Sequence, residues 1–387
     1  MHHTVLTDQP RAIMSKLFSP ATLRGLTLRN RTVVAPMCQY SARDGFANDW
    51  HFAHLGRFAI GGFGLVILEA TAVTPEGRIS YADLGLWKDE QIAPLARIVD
   101  FLHSQGAAAG VQLAHAGRKA STAVSWNDTD AMSTSEKAAI GYEHWTPVAP
   151  SAEIHAEDKG FTRPEALDDA GIAHVIAAFA EAARRADEAG FDTVEIHAAH
   201  GYLLNQFLSP LANRRTDRYG GSRENRMRLL LEVTDAVRAV WPQDKPLIVR
   251  LSVSDWHPDG WQVEDSVVLA RELKARGVDA IDASSGGFEG AQIPVTAGYQ
   301  VHLAEAVRNG ADIPAIAVGL LGDVQAAETI LATGQADFIA LARGALDNPN
   351  WPLHARHELG ETDYDLWPVQ ARRVRERDRA LGQRGFA

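Results

Sequence analysis

The chain has 387 residues, of which 46% are hydrophobic, so it can bury a large core in one large barrel or in two or three domains. Its formal net charge is −11 and it has no basic block, so we expect no nucleic-acid partner. The single cysteine, Cys38, excludes an internal disulfide and any iron–sulfur or zinc site that needs several cysteines. Residues 1–14 lack an apolar signal core and no later run is long enough to span a membrane, so we expect a soluble, cytoplasmic protein.

The first predicted element is a small hairpin. Apolar and polar residues alternate around Gly25 in Leu23–Leu28, and such a hairpin would close the bottom of a barrel. Eight short apolar runs then predict strands: Thr32–Cys38, Leu65–Thr71, Ala108–Ala114, Thr193–Ala199, Pro246–Val253, Ala280–Gly286, Pro314–Gly319 and Phe338–Arg343.

Helical patterns separate these runs. The clearest lies between Asp168 and Gly190, where an apolar residue recurs with a period near 3.6: Ile172, Val175, Ile176, Phe179, Ala183 and Ala186. Continuous apolar strands covered by helices indicate a parallel sheet, and eight strand-then-helix units predict a closed (β/α)₈ TIM barrel of the α/β class. A doubly wound sheet is the competing fold, but no Gly-x-Gly-x-x-Gly follows the first strand.

The longest interval between predicted strands separates the third from the fourth. Within it, Ser121–Phe161 is polar, contains Trp126 and Trp145, and shows no sustained periodicity. We predict an excursion over the top face of the barrel, either a substrate lid or a plain surface loop. No linker interrupts the chain, so we expect one domain over residues 1–387, with a core of about 17–360 and a tail of 361–387.

Polar residues gather at the carboxyl ends of the predicted strands, where barrel enzymes carry their chemistry. They are Cys38 and Tyr40, Glu69, Gln112, His197, His200 and Tyr202, Arg250, Gly319, and Arg343. The last two strands of such barrels commonly hold a phosphate. Gly319 would allow close backbone approach, and Arg343 would add a bidentate charge.

Each of these residues also has a simpler interpretation. His197 and His200 could be structural histidines, or metal ligands three residues apart. Cys38 could be an inert buried side chain and Tyr40 a packing aromatic. Arg250 is different, because a charge within an apolar strand is costly unless an anionic partner is present.

Four segments resemble the old yellow enzyme family of flavin ene-reductases: Val34–Tyr40, Gln112–Arg118, His197-Ala-Ala-His-Gly-Tyr202 with its continuation to Pro210, and Asn213–Arg226. The pair Cys38 and Tyr40 resembles the thermophilic-like branch of bacterial NADPH dehydrogenases and xenobiotic reductases. The resemblance runs from Leu17 to about Arg375. It implies an FMN-dependent enzyme that takes hydride from NADPH or NADH.

The resemblance also implies a role for each site residue. FMN would contact Ala35, Pro36, Met37, Cys38, Ala70, Gln112, Arg250, Gly319, Leu320, Ala342 and Arg343. His197 and His200 would hold the substrate oxygen beside Tyr40, and Tyr202 would donate the proton. No metal is implied.

The implied reaction is the reduction of activated C=C bonds in α,β-unsaturated carbonyls, with nitro compounds as a further class. It is a ping-pong cycle with hydride transfer from flavin N5 and protonation from the opposite face. A homo-oligomer, dimer or tetramer, is also implied, and Arg373 is the candidate residue to reach a neighbouring site, although Ala371 replaces the family's tyrosine nearby. Two alternatives remain: a cofactor-free aldolase or isomerase that uses Lys119 or His197, and a non-catalytic flavin-binding protein.

Overall fold

The computed structural model describes residues 15–380 except 128, 130–131, 157–159 and 362–363. Its strands are β1 (Ala21–Leu23), β2 (Leu26–Leu28), β3 (Thr32–Val34), β4 (Leu65–Ala72), β5 (Ala108–Ala114), β6 (Val148–Ala149), β7 (Glu165–Ala166), β8 (Thr193–Ala198), β9 (Leu247–Ser252), β10 (Ala280–Ser284), β11 (Ala315–Ala317) and β12 (Phe338–Leu341). Its helices are α1 (Asp49–Ile60), α2 (Ile92–Ser104), α3 (Thr134–Ala139), α4 (Asp169–Glu188), α5 (Leu203–Leu208), α6 (Arg223–Val240), α7 (Val263–Ala275), α8 (Val301–Ala311), α9 (Val324–Ala332), α10 (Arg343–Asp347), α11 (Trp351–Glu358) and α12 (Val369–Ala380).

The predicted barrel is confirmed. Strands β3, β4, β5, β8, β9, β10, β11 and β12 pair in parallel in this order, and β12 returns to β3 to close the sheet. Every residue of β4 is buried, as expected for a strand covered on both faces. Because the strands are parallel, all their carboxyl ends open on one rim.

Four predicted strands extend at least two residues too far at their carboxyl ends, among them the sixth, which ends at Ser284 rather than at Gly286. The first was expected to reach Cys38, but β3 ends at Val34 because Pro36 has no N–H to continue the ladder. Gly319 lies beyond β11 with a φ of +126°, which is incompatible with a strand. Arg343 begins α10 rather than ending β12.

The predicted hairpin closes the lower end of the barrel. Strands β1 and β2 pair antiparallel, and the N–H of Gly25 in their turn donates to the carbonyl of Asp244 over 2.9 Å. A Cβ at Gly25 would lie 2.5 Å from that carbonyl oxygen, so the approach requires glycine. Leu23 and Leu28 pack into the barrel interior with side chains that include Ile248 and Phe338.

Helix α4 shows how sequence signals set the outer layer. The Asp168 side chain accepts a hydrogen bond from the N–H of Gly171 and caps the helix. At the other end Gly190 has a φ of +88°, and the N–H of Phe191 donates to Ala186 five residues back, which completes a Schellman turn. The predicted apolar face is buried except for Ile176, which is partly exposed.

The excursion after β5 contains the short helix α3 and strand β6, which pairs with β7 beyond the excursion. Trp145 donates from Nε1 to the carbonyl of Glu76 over 2.8 Å, which fixes the excursion to the loop after β4. The Trp126 ring meets the Tyr40 ring edge-on, with 6.0 Å between centroids. The excursion therefore borders the barrel mouth at Tyr40.

Candidate active site

A cavity of about 470 Å³ opens at the carboxyl ends of β9 to β12. Five of the predicted cofactor residues line it: Arg250, Gly319, Leu320, Ala342 and Arg343. Gly319 has a φ of +126° and Leu320 one of +57°, so the backbone turns sharply along the cavity wall. Backbone from two loops and the Arg343 guanidinium suit an anionic group, so Gly319, Leu320, Ala342 and Arg343 fit the phosphate end of FMN.

The other predicted cofactor residues lie on the neighbouring side of the mouth. Ala35, Pro36, Met37, Cys38, Ala70 and Gln112 follow or belong to β3, β4 and β5 and are not among the residues that line the cavity. The N–H of Ala35 donates to Leu341 over 3.0 Å, so the loop after β3 adjoins the loop after β12. The two groups therefore form one continuous rim.

His197 and His200 are brought together at the end of β8. Their ring centroids lie 5.2 Å apart, and the Tyr202 ring lies 5.1 Å from that of His197. His197 is 3% exposed, and its Nδ1 has no hydrogen-bond partner within the described part of the chain. The predicted histidine and tyrosine cluster is therefore present, with polar capacity left for a ligand.

His200 is held by several neighbours in a left-handed backbone conformation, with a φ of +60°. Its N–H donates to Ser252 Oγ over 2.9 Å, and Ser284 Oγ lies 2.7 Å from its Nε2. Lys119 Nζ donates to the carbonyls of His200 over 2.8 Å and of Gly287 over 3.2 Å. Ser284 can donate to Nε2, which leaves Nδ1 to carry the proton toward a substrate.

Both imidazoles are held neutral. Burial lowers the pKa of His197 and His200 well below the ordinary value, and the positive charges of Arg250 and Lys119 lower it further. A neutral imidazole still donates one hydrogen bond, so it can hold an oxygen on which negative charge develops. No group of three or more histidine, cysteine or carboxylate side chains among the described residues could hold a metal ion.

Tyr40 and Cys38 follow β3, and Tyr202 lies beside His197. Burial raises the pKa of all three side chains, and each pKa is raised further by neighbouring acidic groups that include Asp83. Tyr202 thus keeps its phenolic proton across the neutral range, as a proton donor must. Cys38 stays a thiol, which argues against a nucleophilic role for it.

Sequence reasoning missed the polar residues that support the site from neighbouring strands. Arg250 Nε lies 3.1 Å from Asp282 Oδ2 on β10, and Gln112 Nε2 donates to Glu195 Oε1 over 2.7 Å. From the sequence alone, Glu69 had no assigned role beyond its place at a strand end. Its side chain accepts a hydrogen bond from the N–H of Gln39 over 2.8 Å and so holds the loop before Tyr40. Glu195 and Asp282 could have been recognised from the sequence, because each is an acidic residue within an otherwise apolar strand.

His115 is close in sequence to the site but has a structural environment. It is 1% exposed, its Nδ1 accepts from the N–H of Gly117 over 3.1 Å, and burial lowers its pKa to about 4. An unfolded histidine titrates near 6.5, so only the unfolded state gains the proton as the pH falls. Stability should fall by about 2 kcal/mol between pH 7.5 and pH 5 from this residue.

Urea unfolding of wild type and His115→Gln at those two pH values checks this expectation. The variant should have a lower free energy of unfolding than wild type at pH 7.5, because packing around the ring is lost. This difference in the free energy of unfolding should be smaller by about 2 kcal/mol at pH 5. If the difference in the free energy of unfolding is the same at both pH values, folding does not lower the pKa of His115.

None of the described helices is long and apolar enough to cross a membrane.

Comparisons with known proteins point to one family. The profile of the NADH:flavin oxidoreductase / NADH oxidase family matches residues 16–362. The NADPH dehydrogenase of Geobacillus thermodenitrificans (strain NG80-2) is 49% identical over 346 residues, which cover 89% of this chain and 94% of that protein. The NADPH dehydrogenase of Listeria innocua serovar 6a (strain ATCC BAA-680 / CLIP 11262) is 49% identical over 351 residues, which cover 90% and 96%.

Comparison with solved structures supports the same family. Morphinone reductase matches with a TM-score of 0.73 and 31% identity, over 90% of this chain and 91% of that one. A 2-naphthoyl-CoA reductase complex matches with a TM-score of 0.78 and 25% identity over 90% of this chain, but this chain spans only 53% of that protein. The chain therefore belongs to the NADH:flavin oxidoreductase / NADH oxidase family, and it is an NADPH dehydrogenase of the old yellow enzyme type that uses FMN and NAD(P)H.

Proposed function

We propose that the enzyme reduces activated C=C bonds, chiefly of α,β-unsaturated carbonyl compounds, with nitro compounds as a second class. The observation that carries this proposal is the close placement of His197, His200 and Tyr202 on the rim that also holds the Arg250 cavity. The cycle is ping-pong, because one rim serves both the NAD(P)H and the substrate.

The cofactor residues divide into two groups. Gly319, Leu320, Ala342 and Arg343 would hold the phosphate end of FMN. The residues that would lie at its ring end are Ala35, Pro36, Met37, Cys38, Ala70, Gln112 and Arg250. When bound there, FMN would supply hydride transfer between NAD(P)H and the β-carbon of the alkene. Arg250 places positive charge at the ring, and Gln112 offers amide groups to its polar edge.

His197 and His200 act on the substrate oxygen. Their N–H groups donate to the carbonyl or nitro oxygen and stabilise the negative charge that grows on it in the transition state. Tyr40 flanks the same oxygen. Trp126 is 63% exposed and lies edge-on to Tyr40, so we propose that the excursion forms the outer wall of the substrate site.

Tyr202 would deliver the proton to the α-carbon from the face opposite to hydride addition, which gives net trans addition. Replacing Tyr202 by phenylalanine should slow the reduction of 2-cyclohexenone by about 10²-fold, because the positioned acid is lost while packing is kept. The rate loss should be smaller for strongly activated alkenes such as maleimides, which water can protonate. Stopped-flow rates that are unchanged for both substrates would indicate a different proton donor.

The two alternative functions have less support. Lys119 Nζ donates to two backbone carbonyls, which suits an ammonium that orders loops rather than an amine that attacks a substrate. A non-catalytic flavin-binding protein would not need a tyrosine kept protonated beside two neutral imidazoles.

Further expectations from the sequence stay proposals. We propose that the chain acts as one domain and assembles as a homo-oligomer in the cytoplasm, without a nucleic-acid partner. Arg373 lies exposed on α12, where it is available to a neighbouring subunit. Size-exclusion chromatography with light scattering tests the oligomer. If Arg373 completes a neighbouring site, Arg373→Ala should raise KM for the alkene without changing FMN content.

The test of the proposed function is an absorbance spectrum of the protein reconstituted with FMN, followed by turnover of NADPH with 2-cyclohexenone. We expect a flavin band near about 450 nm and NADPH oxidation that depends on the enone. A flavin band with no enone-dependent turnover would contradict the substrate assignment.

A further inference from the structure

Two buried carboxyl groups in the barrel interior have no part in the proposed reaction. Glu195 is 0% exposed and Asp282 is 1% exposed. Glu195 lies two residues before His197 on β8, so both side chains point to the same face of the sheet and Glu195 lies one layer lower. Buried carboxyl groups are rare unless they are paired, so this position calls for an explanation.

The two carboxyl groups belong to a chain of four side chains from four adjacent strands. Gln112 on β5 faces Glu195 on β8 in register and donates to its Oε1 over 2.7 Å. Arg250 on β9 faces Asp282 on β10, and its Nε lies 3.1 Å from Asp282 Oδ2. Glu195 and Asp282 each influence the pKa of the other and so link these two pairs electrostatically.

One oxygen of each carboxyl group is left over. Glu195 Oε2 and Asp282 Oδ1 are buried and receive no hydrogen bond from the residues that the structure describes. With both groups ionised, Arg250 would leave a net charge of −1 inside the barrel, which is costly where water is excluded. A single proton shared by the two carboxyl groups removes that charge.

We propose that Glu195 and Asp282 share one proton at neutral pH, and that this carboxyl pair positions Gln112 and Arg250 toward the flavin ring. The inference rests on the proposed function for the placement of Gln112 and Arg250 at the cofactor. The pair acts through these two residues and does not touch the substrate. Because Gln112 Nε2 donates to Glu195, this contact leaves the carbonyl oxygen of the amide unused.

The electrostatics agree with the geometry. Burial, followed by the charge of Asp282, raises the pKa of Glu195 to about 8, and burial also raises the pKa of Asp282. Arg250 opposes both shifts, and the Gln112 hydrogen bond opposes the first. The titration belongs to the pair, so the pair should lose its proton as the pH rises through about 8.

Loss of this proton adds a negative charge beside Arg250, which should weaken FMN binding. If the flavin raises the pair's pKa by about one unit on binding, the Kd for FMN rises about sevenfold between pH 7 and pH 9.5. The reduction potential of the bound flavin should also fall as the pH rises over this range. The fall should be steeper than it would be if the flavin were the only group that takes up protons.

Glu195→Gln is the informative variant, because glutamine mimics the protonated acid and can still accept from Gln112. We expect the variant to bind FMN about as tightly as wild type at pH 7. Between pH 7 and pH 9.5 its Kd for FMN should not show the rise that deprotonation of the pair causes in wild type. Asp255→Asn is the matched control. Asp255 is buried and accepts from Ser209 Oγ and the N–H of Trp261, so its loss should lower stability but keep the wild-type pH dependence.

Infrared difference spectroscopy of the wild-type protein detects the shared proton directly, so this test does not require any variant to fold. We expect a carboxylic-acid C=O band with a midpoint near pH 8, about one unit above the pKa of about 7 of the buried Asp83. The band should be absent from Glu195→Gln and present in Asp255→Asn. A wild-type spectrum with no such band overturns the shared proton.

FMN titrations separate this inference from the proposed function. If wild type binds FMN and Glu195→Gln keeps the full wild-type pH dependence, the positioning role is wrong while the function stands. If wild type binds no FMN, the proposed function and the positioning role both fail, and the infrared band still decides whether the proton is shared.

Discussion

Replacing both His197 and His200 by alanine should slow the oxidation of the reduced enzyme by 2-cyclohexenone by about 10²- to 10³-fold. The two imidazole rings lie 5.2 Å apart at the barrel mouth, and both are held neutral. Their N–H groups stabilise the substrate oxygen more in the transition state than in the ground state. Removing two positioned donors therefore raises the barrier by about 2.7 kcal/mol or more.

Stopped-flow absorbance after anaerobic reduction measures this rate. His103→Ala is a suitable control, because His103 is exposed and binds Asp192 through a 2.7 Å contact away from the mouth. The control should react at the wild-type rate. Oxidation of the double variant within about threefold of wild type would show that neither histidine contributes to the chemical step.

The pH dependence offers a further check on the same pair. Because the pKa of each imidazole lies well below its ordinary value, lowering the pH from 8 to 6 should not protonate them. The oxidative rate should therefore show no histidine titration over this interval.

Replacing Arg250 by methionine should have the largest effect on stability and on cofactor binding together. Its guanidinium is 7% exposed and lies 3.1 Å from Asp282, so its removal leaves a buried carboxylate without its cation. Breaking one partner of a buried ion pair costs about 3–5 kcal/mol. The same change removes the positive charge that the proposed function places at the flavin ring.

Urea unfolding and FMN absorbance after dialysis measure the two effects. Arg97→Met is the matched control, because Arg97 binds Asp49 at the surface, where both side chains are more than half exposed. Such a surface pair contributes about 1 kcal/mol or less. If Arg250→Met retains FMN and unfolds within 1 kcal/mol of wild type, Arg250 contributes to neither the core nor the cofactor site.

The barrel was predictable because its strands are continuous apolar runs and its helices repeat an apolar face every 3.6 residues. Strand ends were less predictable, since they depend on local geometry. Pro36 ends hydrogen bonding after β3, and the positive φ of Gly319 turns the chain after β11. Neither feature changes the apolar pattern that identified the strands.

Part of the site followed from the same reasoning. Parallel strands that close into a barrel bring their carboxyl ends together, so His197, Arg250 and Arg343 were expected on one rim. The supporting contacts could not be predicted, because they depend on register between strands far apart in sequence. Gln112 meets Glu195, and Arg250 meets Asp282, only because the closed sheet aligns them.

Loop geometry was also hidden from the sequence. The left-handed conformation of His200 and the bridge from Lys119 to the carbonyls of His200 and Gly287 depend on two loops that approach within hydrogen-bonding distance of one lysine. A Cβ on Gly287 would come within 2.1 Å of the His200 backbone, so glycine is required at this contact. Only the folded chain shows this requirement.

The most direct test of the account is a double-mixing experiment at about 450 nm on the FMN-loaded enzyme. Anaerobic NADPH should first bleach the flavin band, and 2-cyclohexenone should then restore it and yield cyclohexanone in equal amount. A band that NADPH bleaches but no enone, maleimide or nitroalkene restores would contradict the claim that His197, His200 and Tyr202 form an ene-reductase site.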